Sequence, residues 1–133
     1  MYIFSDIQLL LFLASLKVLD DTFYVTEMAL ESNCYNHVQK QKIKLLIVQG
    51  KLKTFTLDET FFRFSYKVSI KYSGLHIMDF AAIYYCKMTK GFLVERNSKI
   101  RECAIENEVD ALPVDEILDN IVKDKKYVDY IKN

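Results

Sequence analysis

One carboxylate stands out because of its apolar surroundings. Asp79 is the only Asp, Glu, Lys or Arg between Leu75 and Cys86, in the stretch LHIMDFAAIYYC. An ionised acid that is buried without a partner costs several kcal/mol, so buried acids usually form an ion pair, cap a helix or bind a metal ion. The chemistry open to Asp79 is therefore one of these three.

Other polar residues follow the predicted strands, where the chain turns from strand into helix. In an open parallel sheet, ligands bind beyond the carboxyl ends of the strands, at turns of this kind. We therefore expect these residues to converge at one end of the sheet. They are Asp6, Glu27, Glu31, Asp79, Glu95 and Asn97.

The hydrophobic pattern predicts strands that alternate with helices along the chain. Short apolar, β-branched or aromatic runs predict strands at residues 2–5, 22–26, 52–57, 92–95 and 109–112. Helical spacing or dense apolar content predicts helices at residues 7–19, 27–49, 58–72, 76–89, 98–106 and 114–122. The helix 76–89 is apolar nearly all round and must be buried. The alternation predicts an α/β fold, with three α/β/α layers around a mostly parallel sheet of four to five strands.

Length and composition indicate one domain. The chain has 133 residues, of which 51% are hydrophobic, which is enough to bury a core. We expect a single domain at residues 1–122, followed by a tail or helix extension at 123–133. The 18 basic and 18 acidic residues cancel. Any contact with RNA must therefore come from a local patch, such as the lysines around Gly50.

The cysteines and apolar runs indicate a reducing, cytoplasmic environment. Cys34, Cys86 and Cys103 are odd in number and far apart, which argues against a disulfide framework or a zinc site. The apolar run at residues 9–13 is too short to span a bilayer, so no membrane contact is expected. The three glycines are isolated, which argues against a nucleotide-binding turn.

Three segments carry a family resemblance. FSDIQLLLFL, GLHIMDFAAIYYCK and FLVERNSKIRECAIENEV resemble the signature segments of PIN domains. These are metal-dependent ribonucleases that include the VapC-type toxins of toxin–antitoxin pairs. The resemblance implies an α/β/α fold and a set of acids that binds Mg²⁺ or Mn²⁺ and cleaves RNA.

Two acids match the family pattern directly. Asp6 corresponds to the first acid, although Ile7 and Gln8 replace the Thr and Asn that normally follow it. Asp79 corresponds to the acid of the buried helix, with His76 where a Ser is usual. The resemblance therefore makes Asp6 and Asp79 the candidate metal ligands and catalytic residues.

Two other acid positions of the family have lost their acid. Ser32 stands where the second acid is expected, and its neighbour is Glu31. The T-G-D turn of the family is replaced by Glu95, Arg96 and Asn97, which leaves an amide at the last acid position. Two carboxylates leave less negative charge to hold a divalent cation. An inward Arg96 would compete with that cation for Asp6 or Asp79.

Alternative roles for the acids remain open. Glu31 and Glu95 could replace the missing ligands. Glu31 could do so only if the helix were shifted by one position relative to the family pattern, because adjacent helical side chains point about 100° apart. Glu95 ends a predicted strand, where successive side chains point to opposite faces, so the face to which it points is not determined. Without a metal, Asp6 at its strand-to-helix junction is a natural N-cap. Asp79 in the first turn of its helix could likewise cap backbone N–H groups.

The sequence therefore favours a PIN-like protein with an eroded metal site. We expect ribonuclease activity to be weak or absent, with Mg²⁺ or Mn²⁺ weakly bound or absent. Its role would then be binding or assembly with an antitoxin protein or a second copy. The alternative is an active Mg²⁺- or Mn²⁺-dependent ribonuclease that uses Asp6 and Asp79 with Glu31 or Glu95.

Overall fold

The computed structural model describes residues 2–15, 23–30 and 36–113, and shows strands and helices in alternation. The strands are β1 (Tyr2–Phe4), β2 (Phe23–Thr26), β3 (Leu52–Phe55), β4 (Phe92–Val94) and β5 (Ala111–Leu112). The helices are α1 (Ile7–Ser15), α2 (Glu27–Leu30), α3 (His37–Val48), α4 (Glu59–Ser69), α5 (Ile77–Thr89) and α6 (Ser98–Glu106).

The five strands form one parallel sheet in the order β3-β2-β1-β4-β5. Helices cover the sheet in a three-layer α/β/α arrangement, so the predicted fold class is confirmed. In the centre, Tyr2 of β1 lies opposite Phe92 of β4, and Phe4 lies opposite Val94. This register brings together the residues that follow the two strands.

The predicted burial of the 76–89 helix is also confirmed. α5 packs across β1, β2 and β4. Its buried side chains are Phe80, Ala81, Ala82, Ile83, Tyr84 and Cys86. On the same layer, Phe61 of α4 packs against Tyr84 with the ring centroids 5.6 Å apart. The ring of Phe55 stacks on Tyr85 at 3.9 Å. These contacts fix the helix that carries Asp79.

The prediction of one helix over residues 27–49 is wrong. α2 covers Glu27–Leu30, and a separate helix α3 begins at His37. Asn36 is the reason, because its extended backbone ends any preceding helix and its side chain accepts a hydrogen bond from the Gln39 N–H at 2.9 Å. The Gln39 side chain in turn accepts from the Asn36 N–H at 3.0 Å, which completes a capping box.

Several predictions fall outside the described part of the chain. These are the helix at residues 114–122, the tail at 123–133, the end of the first helix beyond Ser15, and the positions of Glu31, Ser32 and Cys34. Among the described residues, no helix has both the length and the apolar character needed to cross a membrane.

Candidate functional site

A polar cavity of about 460 Å³ lies beyond the carboxyl ends of β1 and β4, where helices α1, α5 and α6 begin. Four of the residues singled out by sequence, Asp6, Asp79, Glu95 and Asn97, line this one cavity. The full lining is Ser5, Asp6, Asp79, Glu95, Arg96, Asn97 and Ile100. These four residues therefore converge at one end of the sheet, as expected. Glu27, the first residue of α2, does not line the cavity, and Glu31 lies outside the described residues.

The register of β1 and β4 continues into the cavity as side-chain pairs. One residue beyond the strands, the Ser5 hydroxyl donates a hydrogen bond to Oε2 of Glu95. One residue further, the Arg96 guanidinium donates to Oδ2 of Asp6 and forms an ion pair with it. Each pair is separated by 90 residues, the same offset as Tyr2 and Phe92 in the sheet. The sheet register thus sets both pairs.

Asp6 is an N-cap as well as an ion-pair partner. Its Oδ1 accepts hydrogen bonds from the backbone N–H groups of Gln8 at 3.1 Å and Leu9 at 3.2 Å, at the start of α1. The N-cap role expected for Asp6 is therefore confirmed. Because Oδ2 receives Arg96, both carboxylate oxygens of Asp6 already have donors within the protein.

Among the described residues, Arg96 is the cation that lines the cavity. Its side chain is 63% exposed and that of Asp6 is 24% exposed, so water partly screens the pair. The turn that carries Arg96 is held by Arg101, which donates to the carbonyl of Glu95 at 3.1 Å and to that of Arg96 at 2.7 Å. The Arg96 guanidinium itself lies against Asp6, so it occupies one carboxylate oxygen that a cation would need.

Glu95 is buried, with 4% of its surface exposed, and it lines the cavity. Its Oε1 accepts the backbone N–H groups of Arg96 at 2.9 Å and Asn97 at 3.0 Å. Its Oε2 accepts the Ser5 hydroxyl. The carboxylate thus stabilises the turn between β4 and α6, and both of its oxygens accept hydrogen bonds within the protein.

Asp79 completes a capping box at the start of α5. Its Oδ2 accepts the backbone N–H of His76 at 2.9 Å, while Nδ1 of His76 accepts the N–H of Met78 at 3.2 Å. The expected cap in the first turn is confirmed. Burial raises the pKa of Asp79, and the charge of Glu95 acts in the same direction. The hydrogen bond from the His76 N–H opposes the rise.

Asn97 caps α6 with its side-chain oxygen. The oxygen accepts the N–H groups of Lys99 at 2.8 Å and Ile100 at 3.3 Å. The amide of Asn97 therefore acts as the N-cap of α6.

The donor set of the cavity does not fit a firmly held Mg²⁺ or Mn²⁺. These ions need several carboxylate or water oxygens in near-octahedral geometry. Within residues 2–15, 23–30 and 36–113, no group of three or more His, Cys, Asp or Glu side chains is placed to hold a metal ion. Glu31 and Ser32, the other candidate positions, lie outside these ranges.

Two contributors, Ser5 and Arg101, were not singled out from the sequence. Ser5 could have been found from its place beside Asp6 at the end of the first predicted strand. Arg101 carries no sequence signal, because its contacts depend on how the turn at residues 95–97 folds back on α6.

No model of a known protein family matches this chain. No curated protein matches it significantly. The family resemblance consequently rests on the three sequence segments and gains no support from these comparisons.

Proposed function

We propose that this chain is a PIN-like domain whose metal site has been converted into an internally paired polar cluster. In this proposal, the protein acts through binding or assembly, and RNA cleavage is weak or absent. The α/β/α fold with acids at one end of a parallel sheet supports the family part of the proposal. The replacements at Ser32 and Asn97 support the loss of metal binding.

The observation that carries the proposal is the ion pair between Arg96 and Asp6. A guanidinium placed on a carboxylate supplies the positive charge that a divalent ion would otherwise supply. A metal ion would have to displace Arg96 and would then meet its repulsion at short range. The pair therefore favours a site that is stable without a metal.

The hydrogen bonds of the other two acids point the same way. Glu95 is engaged by two backbone N–H groups and the Ser5 hydroxyl. Asp79 is engaged at the start of α5, where its Oδ2 accepts the His76 N–H. Carboxylate oxygens that already accept backbone or hydroxyl donors are less available as ligands for a cation.

One observation favours the alternative, an active Mg²⁺- or Mn²⁺-dependent ribonuclease. Asp6, Asp79 and Glu95 line the same cavity. In that alternative, Arg96 would swing away and Glu31 or Glu95 would join Asp6 and Asp79 as ligands. The partly exposed Arg96 side chain would allow such a movement, but the buried bonds of Glu95 would resist it.

The remaining parts of the proposal follow from the family resemblance. The partner of a PIN-like protein without activity would be an antitoxin protein or a second copy of the chain. RNA would be bound weakly, if at all, since the chain has no net positive charge. The compartment proposed from the cysteines is the cytoplasm.

An RNA-cleavage assay distinguishes the two functions. The purified chain and its Asp79→Asn variant would be incubated with a mixed-sequence RNA pool in millimolar Mg²⁺ or Mn²⁺, beside a known metal-dependent ribonuclease. We expect the wild type to cleave no more RNA than the variant. Cleavage by the wild type that is lost in Asp79→Asn would contradict the proposal and support the enzyme.

A further inference from the structure

The outer face of α3 exposes an apolar stripe. Val38 is 61% exposed, Leu45 is 55% exposed and Val48 is 83% exposed. With about 100° between successive helical residues, the three side chains fall within about 80° of one another, on the side of the helix away from buried Ile43. The exposed Gln41 lies in the same sector, between Val38 and Leu45 along the helix, so the stripe includes one polar position. A stripe of this kind along one helix is a feature of helix-binding surfaces.

The segment that contains α3 has an unbalanced charge. Residues 36–57 contain no Asp or Glu, although the whole chain carries equal numbers of acidic and basic residues. On the helix, Lys42 lies about 40° to one side of Val38, and Lys44 lies about 100° to the other side of Leu45. Five exposed lysines fall in this segment: Lys40, Lys42, Lys44, Lys51 and Lys53.

The helix is held firmly enough to present a preformed surface. Its start is fixed by the capping box of Asn36 and Gln39. The Gln39 side chain also donates to the Gln8 side chain of α1 at 3.0 Å. Its end leads into β3 through a turn in which the Lys51 N–H donates to the Leu46 carbonyl at 2.9 Å.

We propose that this face of α3 docks an acidic amphipathic helix of a partner protein. The partner's apolar side chains would cover Val38, Leu45 and Val48, and its acids would pair with the flanking lysines. Such pairing combines apolar burial with charge complementarity, which steers association and excludes wrong partners.

The charge and shape of the face disfavour other occupants. A second copy would bring its own lysines against this face, which like-charge repulsion disfavours. RNA gains nothing from a central stripe of Val and Leu, since single-stranded bases stack on aromatic rings. The stripe also lacks the Trp and Phe that anchor interfacial helices in a bilayer.

The test uses a synthetic helical peptide with Leu along one face and Glu over the rest, measured by fluorescence anisotropy. We expect micromolar binding, which Leu45→Ser and Lys44→Glu each weaken roughly fivefold. Val48→Ser provides a second apolar variant, and circular dichroism checks that all variants are folded. Matched controls at the end of α4, Ile70→Ser and Lys67→Glu, change an exposed apolar and an exposed basic residue and should leave binding unchanged.

Several results would overturn the docking proposal. One is the absence of binding at millimolar peptide, and another is equal binding of a peptide that has Lys in place of Glu. A third is tighter binding of RNA or of phosphatidylserine vesicles than of the peptide. That result counts if Lys44→Glu abolishes the binding and Leu45→Ser leaves it intact. The residues of the α3 face do not line the cavity of Asp6 and Asp79. The outcome is therefore independent of whether the cavity cleaves RNA.

Discussion

Arg96 and Asp6 form an ion pair because β1 and β4 are adjacent parallel strands in a fixed register. The offset of 90 residues between Phe4 and Val94 continues through Ser5 and Glu95 to Asp6 and Arg96. The register therefore places the Arg96 guanidinium directly opposite Asp6. One side chain in the turn after β4 thus brings a positive charge to the acids of the cavity.

Replacing Glu95 by Ala should destabilise the fold strongly. The change removes the acceptor of two backbone N–H groups and of the Ser5 hydroxyl at a buried position. Because buried donors without partners are costly, we expect the free energy of unfolding to fall by about 3 kcal/mol. Urea denaturation measures the loss. Glu102→Ala, an exposed change on α6, is the control and should stay within about 0.5 kcal/mol of the wild type. An equally small effect of Glu95→Ala would show that these bonds do not hold the turn.

The raised pKa of Asp79 predicts a specific pH dependence of stability. Its pKa in the folded state lies above the ordinary value of 3.8, chiefly because of burial. The folded state then binds the proton more tightly than the unfolded state, so this group stabilises the fold at pH values below its unfolded pKa. That contribution is lost as the pH rises through the folded pKa.

The Asp79→Asn variant tests this dependence. Its amide oxygen keeps the hydrogen bond from the His76 N–H, but the side chain does not ionise. We expect the wild type to lose stability relative to the variant as the pH is raised from about 3 towards neutrality. Urea denaturation across this range measures the difference. A wild type that gains stability relative to Asp79→Asn over the same range would mean that the folded pKa is lowered.

Neighbouring phenylalanines on α4 should respond very differently to truncation. Phe61 is fully buried against Tyr84, whereas Phe62 is 53% exposed. Phe61→Ala leaves a cavity under α4, and we expect it to cost about 3–5 kcal/mol. Phe62→Ala should cost about 1 kcal/mol or less. Thermal and urea unfolding of the two variants provide the comparison, and similar losses would contradict the orientation of α4.

Much of the fold could be predicted from local sequence patterns. The alternation of strands and helices predicted the parallel sheet, and the apolar stretch around Asp79 predicted a buried α5. The split between α2 and α3 was missed, although Asn36 followed by Gln39 is the local signature of a capping box. Apolar residues at helical spacing predict a helix through this segment, whereas the capping box at Asn36 starts a new one.

The side-chain pairs within the cavity could be predicted only in part. Local patterns predict that Asp6 and Asp79 cap helices, because those contacts are made within a few residues. The contacts of Glu95 with Ser5 and of Arg96 with Asp6 depend on the register of two strands far apart in sequence. Sequence patterns within each strand do not determine that register. From sequence alone, the competition of Arg96 for Asp6 therefore depends on which way Arg96 points. The direction of the Glu95 side chain is likewise undetermined.

The Arg96→Gln variant separates the electrostatic role of Arg96 from a structural one. The substitution keeps a polar side chain at this position but removes the positive charge opposite Asp6. Because the ion pair is partly exposed, we expect the variant to lose no more than about 1 kcal/mol of stability. A fold that survives this change makes the variant suitable for metal titration.

Calorimetric titration with Mn²⁺ of the wild type and Arg96→Gln tests the central claim most directly. The wild type should bind Mn²⁺ no more tightly than about 1 mM, or about 4 kcal/mol, and Arg96→Gln should bind roughly tenfold more tightly because a repelling charge is gone. Tighter than millimolar binding by the wild type that Asp79→Asn abolishes would contradict the account. Equal affinities of wild type and Arg96→Gln would show that Arg96 does not stand in for the metal.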